Sequence, residues 1–215
     1  MEKEVGLREL TTVLLAGKAE EARQRAYAAL AKGNTESETL DAIVDTISIV
    51  SNLNELDQFD QAKLIAVENA VNASLQALEE WLAKTEGKFN LKVTVGPVGL
   101  KTGALSSLGL SASLRAVGFR STSLGKTQTA LDLLRNSEEL GANLVIPLLS
   151  SDDDQQLRNF TEAYDRGGFK NKFQILPVAN DTRVQPSAGT MVAHNSEEAI
   201  SKATEWALKN SKHSA

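Results

Sequence analysis

From Leu7 to Leu82 the chain holds no proline and only two glycines, Gly17 and Gly33. A stretch of that length with so few turn-formers has to be built from helices joined by short connections. Its apolar residues keep helical time: Leu40, Ile43, Val44 and Ile47 are followed by Val50, Leu53 and Leu56. The spacing predicts four helices. The first covers 5–16 and stops at Gly17; the second covers 18–32 and stops at Gly33, where a left-handed C-terminal cap is expected. The third starts after Thr35, because Thr35-x-x-Glu38 has the form of a capping box, and runs to Leu53. The fourth covers 59–83. Four such helices make a small bundle, placed at residues 1–86.

The pattern changes after the polar stretch AKTEGKFN (83–90). Short apolar runs, LKVTVG (91–96), LVIPLL (144–149) and KFQILPV (172–178), read as strands buried on both faces of a parallel sheet. FRSTSL (119–124) is a more polar strand and TMVA (190–193) a short one. Helices are expected between and after them, at 104–117, 128–140, 153–166 and 196–210. Strand alternating with helix predicts right-handed crossovers and a doubly wound, five-stranded parallel sheet over 87–215. Ligands of such sheets sit beyond the carboxyl ends of the strands, which singles out loops 96–103, 125–127, 149–152 and 179–189.

Composition removes much chemistry. The chain has no cysteine and two histidines, His194 and His213, so disulfides, thiolate metal sites, cysteine nucleophiles and multi-histidine centres are excluded or nearly so. A net charge of −5 without a basic cluster gives no footprint for nucleic acid. No apolar run is long enough for a membrane span. The N-terminus begins with charge and lacks an apolar signal core, so a cytoplasmic protein is expected.

The candidate motifs are incomplete. Gly96, Gly99 and Gly103 are spaced G-x-x-G-x-x-x-G, whereas a dinucleotide fingerprint needs G-x-G-x-x-G and an acidic residue after the second strand. Gly125-Lys126-Thr127 resembles the end of a phosphate loop, but Arg120 stands where its first glycine belongs, and Thr127 reads as a helix N-cap. Asp152, Asp153 and Asp154 open a helix, where carboxylates favour the helix dipole without any cation. Asp181 and Arg183 add charge to the neighbouring loop. His194, beside Asn195 and Ser196, reads as an exposed or capping residue. No nucleophile–base pair stands out, so the chain is not expected to be an enzyme.

The order of parts carries a family resemblance. A helical bundle, a short linker and an α/β domain resemble the corrinoid (cobalamin-binding) proteins of methyltransferase systems, over nearly the whole chain. AGKAEEA (16–22) is similar to their opening helices, LRAVGF (114–119) to the end of the helix after their binding loop, and SEEAISKATEW (196–206) to their closing helix. SLGKT (123–127) falls where the family has Leu-Gly. The resemblance implies the B12-binding type of Rossmann-like fold. It also implies an Asp-x-His-x-x-Gly loop, in which the His lies below cobalt and the Gly admits the nucleotide tail. Counting back from LRAVGF places Lys101, Gly103 and Ser106 at those three positions. The family's Ser-x-Leu falls at Leu148-Leu149-Ser150, its Gly-Gly near Pro177-Val178, and its cap proline at Gln61.

Every signature loop has therefore lost its chemistry. The resulting expectation is a non-catalytic binding or regulatory protein on a corrinoid-protein scaffold that no longer holds cobalamin. It would work through a protein partner, a methyltransferase among the candidates, or through another small anionic ligand. Gly99, Lys101, Gly103, Ser106, Ser107, Gly125 and Lys126 are the candidate residues for that ligand. The alternative is a methyl carrier that binds cobalamin without an axial histidine and works with methyltransferase subunits.

Overall fold

The computed structural model describes residues 2–55, 58–100, 102–126, 128–149, 154–179 and 191–211. The chain divides into two compact units, Met1–Thr85 and Glu86–Ala215.

The first unit is helical: α1 (Glu2–Ala16), α2 (Ala19–Ala31), α3 (Glu36–Glu55), α4 (Gln61–Gln76) and α5 (Glu79–Thr85). Leu10 and Leu14 of α1, Ile43 and Val50 of α3, and Val67 and Val71 of α4 are fully buried between the helices. Ala22, Ala26 and Ala29 give α2 a buried face of small side chains, which lets α4 pack closely against it. At the end of α2, Gly33 is left-handed at φ 88°, its N–H bonds the Leu30 carbonyl and that of Asn34 reaches the Ala29 carbonyl. This is a Schellman cap.

The capping box of α3 forms as its spacing predicts. The Thr35 N–H donates to Glu38 Oε2 at 2.7 Å, and the Glu38 N–H donates to Thr35 Oγ1 at 3.1 Å. Thr35→Ala should cost about 1 kcal/mol, measured as a shift of the urea midpoint. The Thr35 N–H holds the Glu38 carboxyl below its ordinary range, so the half of the box made by that carboxylate is complete above the usual glutamate pKa. It fades as pH falls through the lowered value, and the difference in stability between wild type and Glu38→Ala should shrink there.

The expected fourth helix is two helices. After Gln76 the bonds tighten to i→i−3, from Ala77 to Ser74 and from Leu78 to Leu75, and α-helical bonding resumes with Leu82 to Leu78. The buried Ser74 hydroxyl also bonds back to the Val71 carbonyl at 2.8 Å. No proline or glycine marks this break.

The second unit contains β1 (Lys92–Val98), α6 (Gly103–Val117), β2 (Arg120–Ser123), α7 (Ala130–Glu139), β3 (Leu144–Leu149), α8 (Asp154–Arg166), β4 (Gln174–Ile175) and α9 (Ser196–Ser211). Its strands are all parallel, in the order β2-β1-β3-β4. The chain winds outward both ways from the β1/β3 pair, so the switch point lies between those strands. Alternate residues of β3 serve opposite faces. Leu144, Ile146 and Leu148 pack with Leu110 and Leu114 of α6 and with the fully buried Ala203 of α9. Val145 faces Leu133 and Leu134 of α7 and Phe160 of α8.

Among the described residues the sheet has four strands, and the expected fifth is a single bridge between Val178 and Ala193. The prolines explain this shortening. Pro147 and Pro177 share one level of the ladder: the Val178 N–H reaches the Pro147 carbonyl, and the Ala193 N–H reaches that of Pro177. Neither proline has an N–H to return, so β4 stops at Ile175 and pairing continues as isolated bridges. Immediately afterwards the chain turns into α9. Asn195 Oδ1 caps the Glu198 N–H at 2.8 Å, and Glu198 Oε2 accepts from the N–H of the exposed His194 at 2.7 Å.

No described helix is long and apolar enough to cross a membrane.

Candidate functional site

Of the loops that the sequence singles out, the structure describes 96–100, 102–103 and 125–126, at the carboxyl end of β1, the start of α6 and the end of β2; residues 150–153 and 180–190 lie outside the described residues. β1 ends in Gly96-Pro97-Val98, and Pro97 lies beyond the last residue of β1 paired with β2, Val95. There its missing N–H breaks no bond to β2, while its carbonyl accepts the Gln128 N–H at 3.2 Å. That contact, with the Val98–Gln128 bridge, draws the chain alongside β1 past the end of β2. As a result α7 starts at Ala130, and its N-cap is Thr129, whose side chain accepts the Asp132 N–H. The cap expected at Thr127 is thus replaced by Thr129, two residues later; Thr127 itself lies outside the described residues.

The loop after β1 folds back on itself. Gly99 is left-handed at φ 74°, and Leu100 then lies against the sheet core that contains Leu148 and Val178. The Leu100 carbonyl accepts the Gly103 N–H at 3.3 Å. This places the buried Gly103, the first residue of α6, directly on the Pro97 ring. A Cβ at Gly103 would lie 2.1 Å from Pro97 Cβ, 2.9 Å from Pro97 Cγ and 3.0 Å from Leu100 Cβ. Real Cβ atoms do not approach ring carbons so closely, so no side chain fits at Gly103 unless the backbone moves.

The other candidates divide into three groups. Ser107 is fully buried; its hydroxyl lies 2.7 Å from that of Ser123 and donates to the Ala104 carbonyl at 2.9 Å. With the Ser111–Ser121 hydroxyl bond at 3.0 Å, it fastens α6 to β2. Ser106 is half-buried, with its hydroxyl 3.4 Å from the Thr102 carbonyl. Gly125 has open space around its Cβ position, and Lys126 beside it is exposed. Gly99 is exposed too, next to Gln156 of α8. Lys101, Ser150, Asp152, Asp153, Asp181, Arg183 and His213 lie outside the described residues.

Sequence reasoning missed Pro97, which decides what Gly103 can carry. The available signal was a proline at the end of a strand, six positions before that glycine.

These positions test the cofactor that the resemblance implies. The position matching the axial histidine admits no side chain without a shift. Leu148 and Val178, matching the serine hydroxyl and a tail glycine, are 4% and 8% exposed within one apolar core, and the Leu148–Val178 bridge holds them side by side. The described residues therefore do not fit a corrinoid held by an axial histidine with its tail buried along this route. Among them, no three potential metal ligands come together.

No protein-family model matches the chain, and no curated protein matches it. Among solved structures, it is similar to the monomethylamine corrinoid protein of Methanosarcina barkeri. The identity is 15% over 92% of this chain and 96% of that one, with a TM-score of 0.63. A cobalamin-binding protein from Desulfitobacterium hafniense aligns at 15% identity over 93% of this chain and 98% of its own, with a TM-score of 0.44. The methanol:cobalamin methyltransferase complex of Methanosarcina barkeri aligns at 13% identity over 94% of this chain and 80% of that one, with a TM-score of 0.46. At 15% identity the first likeness is one of architecture: this chain has the fold of a corrinoid protein.

Proposed function

We propose that this chain is a non-catalytic binding or regulatory protein that uses the corrinoid-protein fold without cobalamin and acts through a protein partner. One observation carries the reading. At the position matching the cobalt ligand stands Gly103, whose missing side chain is replaced in space by the Pro97 ring. Loss of a ligand alone would leave a vacancy, whereas here the vacancy is filled by the same loop. The filled core at Leu148 and Val178 agrees with it. A protein partner leads over a small anion at the start of α6, because the Gly103 N–H is already taken by the Leu100 carbonyl. A methyltransferase subunit is the partner class that the resemblance implies.

Anaerobic reconstitution with hydroxocobalamin and with methylcobalamin tests this reading. After desalting, the visible spectrum should show no retained corrinoid, while a known corrinoid protein treated in parallel should be coloured. Near-stoichiometric retention would overturn the proposal. It would make the chain a carrier without an axial histidine, with methyl transfer as the next assay.

A further inference from the structure

We infer that the groove between α1 and α3 is the docking surface for a basic amphipathic helix of a partner protein. This inference rests on the reading of the chain as a protein that works through a partner, and it names the surface. The groove has a volume of about 670 Å³, with Leu7 and Thr11 of α1 on one side and Ala42 and Ile49 of α3 on the other. Ile49 is 40% exposed, although Leu40, Ile43, Ile47 and Val50 of the same helix are buried.

The charge on the groove selects the occupant. Asp41 and Asp45 line it from α3, one turn apart, together with Glu38. On this unit Glu9 pairs with Arg25 and Lys32, Glu20 with Arg23, Glu21 with Lys18 and Glu80 with Lys84. Asp41 and Asp45 have no such partner among the described residues, and Arg8 in the same groove does not reach them. The Asp41 carboxyl is pushed above its ordinary range by burial, then by repulsion from Asp45 and Glu38. Cations brought by a partner would relieve that repulsion. A metal ion is disfavoured, because no group of three ligating side chains converges among the described residues.

The dimensions suit a helix. From Glu38 to Ile49 the α3 wall spans twelve residues, about 16 Å or three turns. An apolar stripe at i, i+3/i+4 and i+7 would lie between Leu7 and Ile49, with Lys or Arg alongside facing Asp41 and Asp45.

The test uses the full-length, ¹⁵N-labelled chain and a designed peptide of about four helical turns, with leucines along one face and lysines flanking them. Amide shifts should move along residues 7–12 and 38–49, with saturable binding by fluorescence anisotropy that weakens as salt rises. Asp41→Asn/Asp45→Asn, and separately Ile49→Ser, should each weaken binding about tenfold or more with unchanged circular dichroism. Glu21→Gln on α2 should leave affinity unchanged, and a peptide with glutamate for every lysine should not bind. Shifts scattered over the surface, equal losses in Glu21→Gln, or no binding at millimolar peptide would overturn the inference. Retained cobalamin in the reconstitution would instead overturn the proposed function and leave this groove result standing, so the two failures are distinguishable.

Discussion

Gly103→His is expected to destabilise the α/β unit by about 3 kcal/mol or more without creating a cobalt ligand. The imidazole would start from a Cβ 2.1 Å from Pro97 Cβ. A ring fused to the backbone at the end of β1 cannot swing aside as a lysine tip would. Either α6 shifts along the sheet, breaking the Ser107–Ser123 and Ser111–Ser121 bonds, or the loop opens and lifts Leu100 off the core. The measurement is urea unfolding followed by tryptophan fluorescence. Trp81 lies in the helical unit and Trp206 packs against the sheet core, so a Trp81→Phe background isolates the α/β unit. A double-mutant cycle with Pro97→Gly assigns the cause: removing the ring should recover about 1–3 kcal/mol of the cost of Gly103→His. An unchanged midpoint for Gly103→His would mean that Pro97 does not occupy this space. A histidine-ligated cobalamin spectrum in the single variant would mean that only the ligand was missing.

The fold was legible where local chemistry decides it, and less so where partners distant in sequence decide it. Thr35-x-x-Glu38 and Gly33 mark helix ends by residue type alone, and the structure carries both caps. The break between α4 and α5 has no such mark, because it is made by tightened backbone bonds and a serine hydroxyl bonding backward. β4 is short because Pro147 and Pro177 meet at the same level, and that depends on strand register rather than on either sequence run. The start of α7 was misread for the same reason: Gln128 is held beside β1 by the Pro97 carbonyl. At the site, counting along the chain gives Gly103 as the position that the resemblance matches to the axial histidine. Counting does not show that Pro97 fills the space there, since that contact exists only once Gly99 turns the loop back.

Leu148→Ala should cost about 2–5 kcal/mol, and the size of the loss reports how completely the route beside β3 is filled. Leu148 is 4% exposed, on the face of β3 that packs against α6 and α9, in one core with Leu110 and Val178 and with Leu100 lying against it. α9 contributes Ala199, Ala203 and Ala207 to that face, all fully buried. With side chains this short, α9 cannot reach in to fill a cavity, and the strand cannot move without breaking its ladder to β1. The cavity should persist, which places the cost toward the upper part of the range. Leu148→Met keeps the volume and should cost less than about 1.5 kcal/mol. Unfolding of both variants, again reported by Trp206, separates a filled core from an open channel. Within a channel already lined by solvent, Leu148→Ala would be nearly neutral. A large loss together with continued failure to retain cobalamin would show that this sheet face has become ordinary protein interior, for which a new ligand would have to find another entrance.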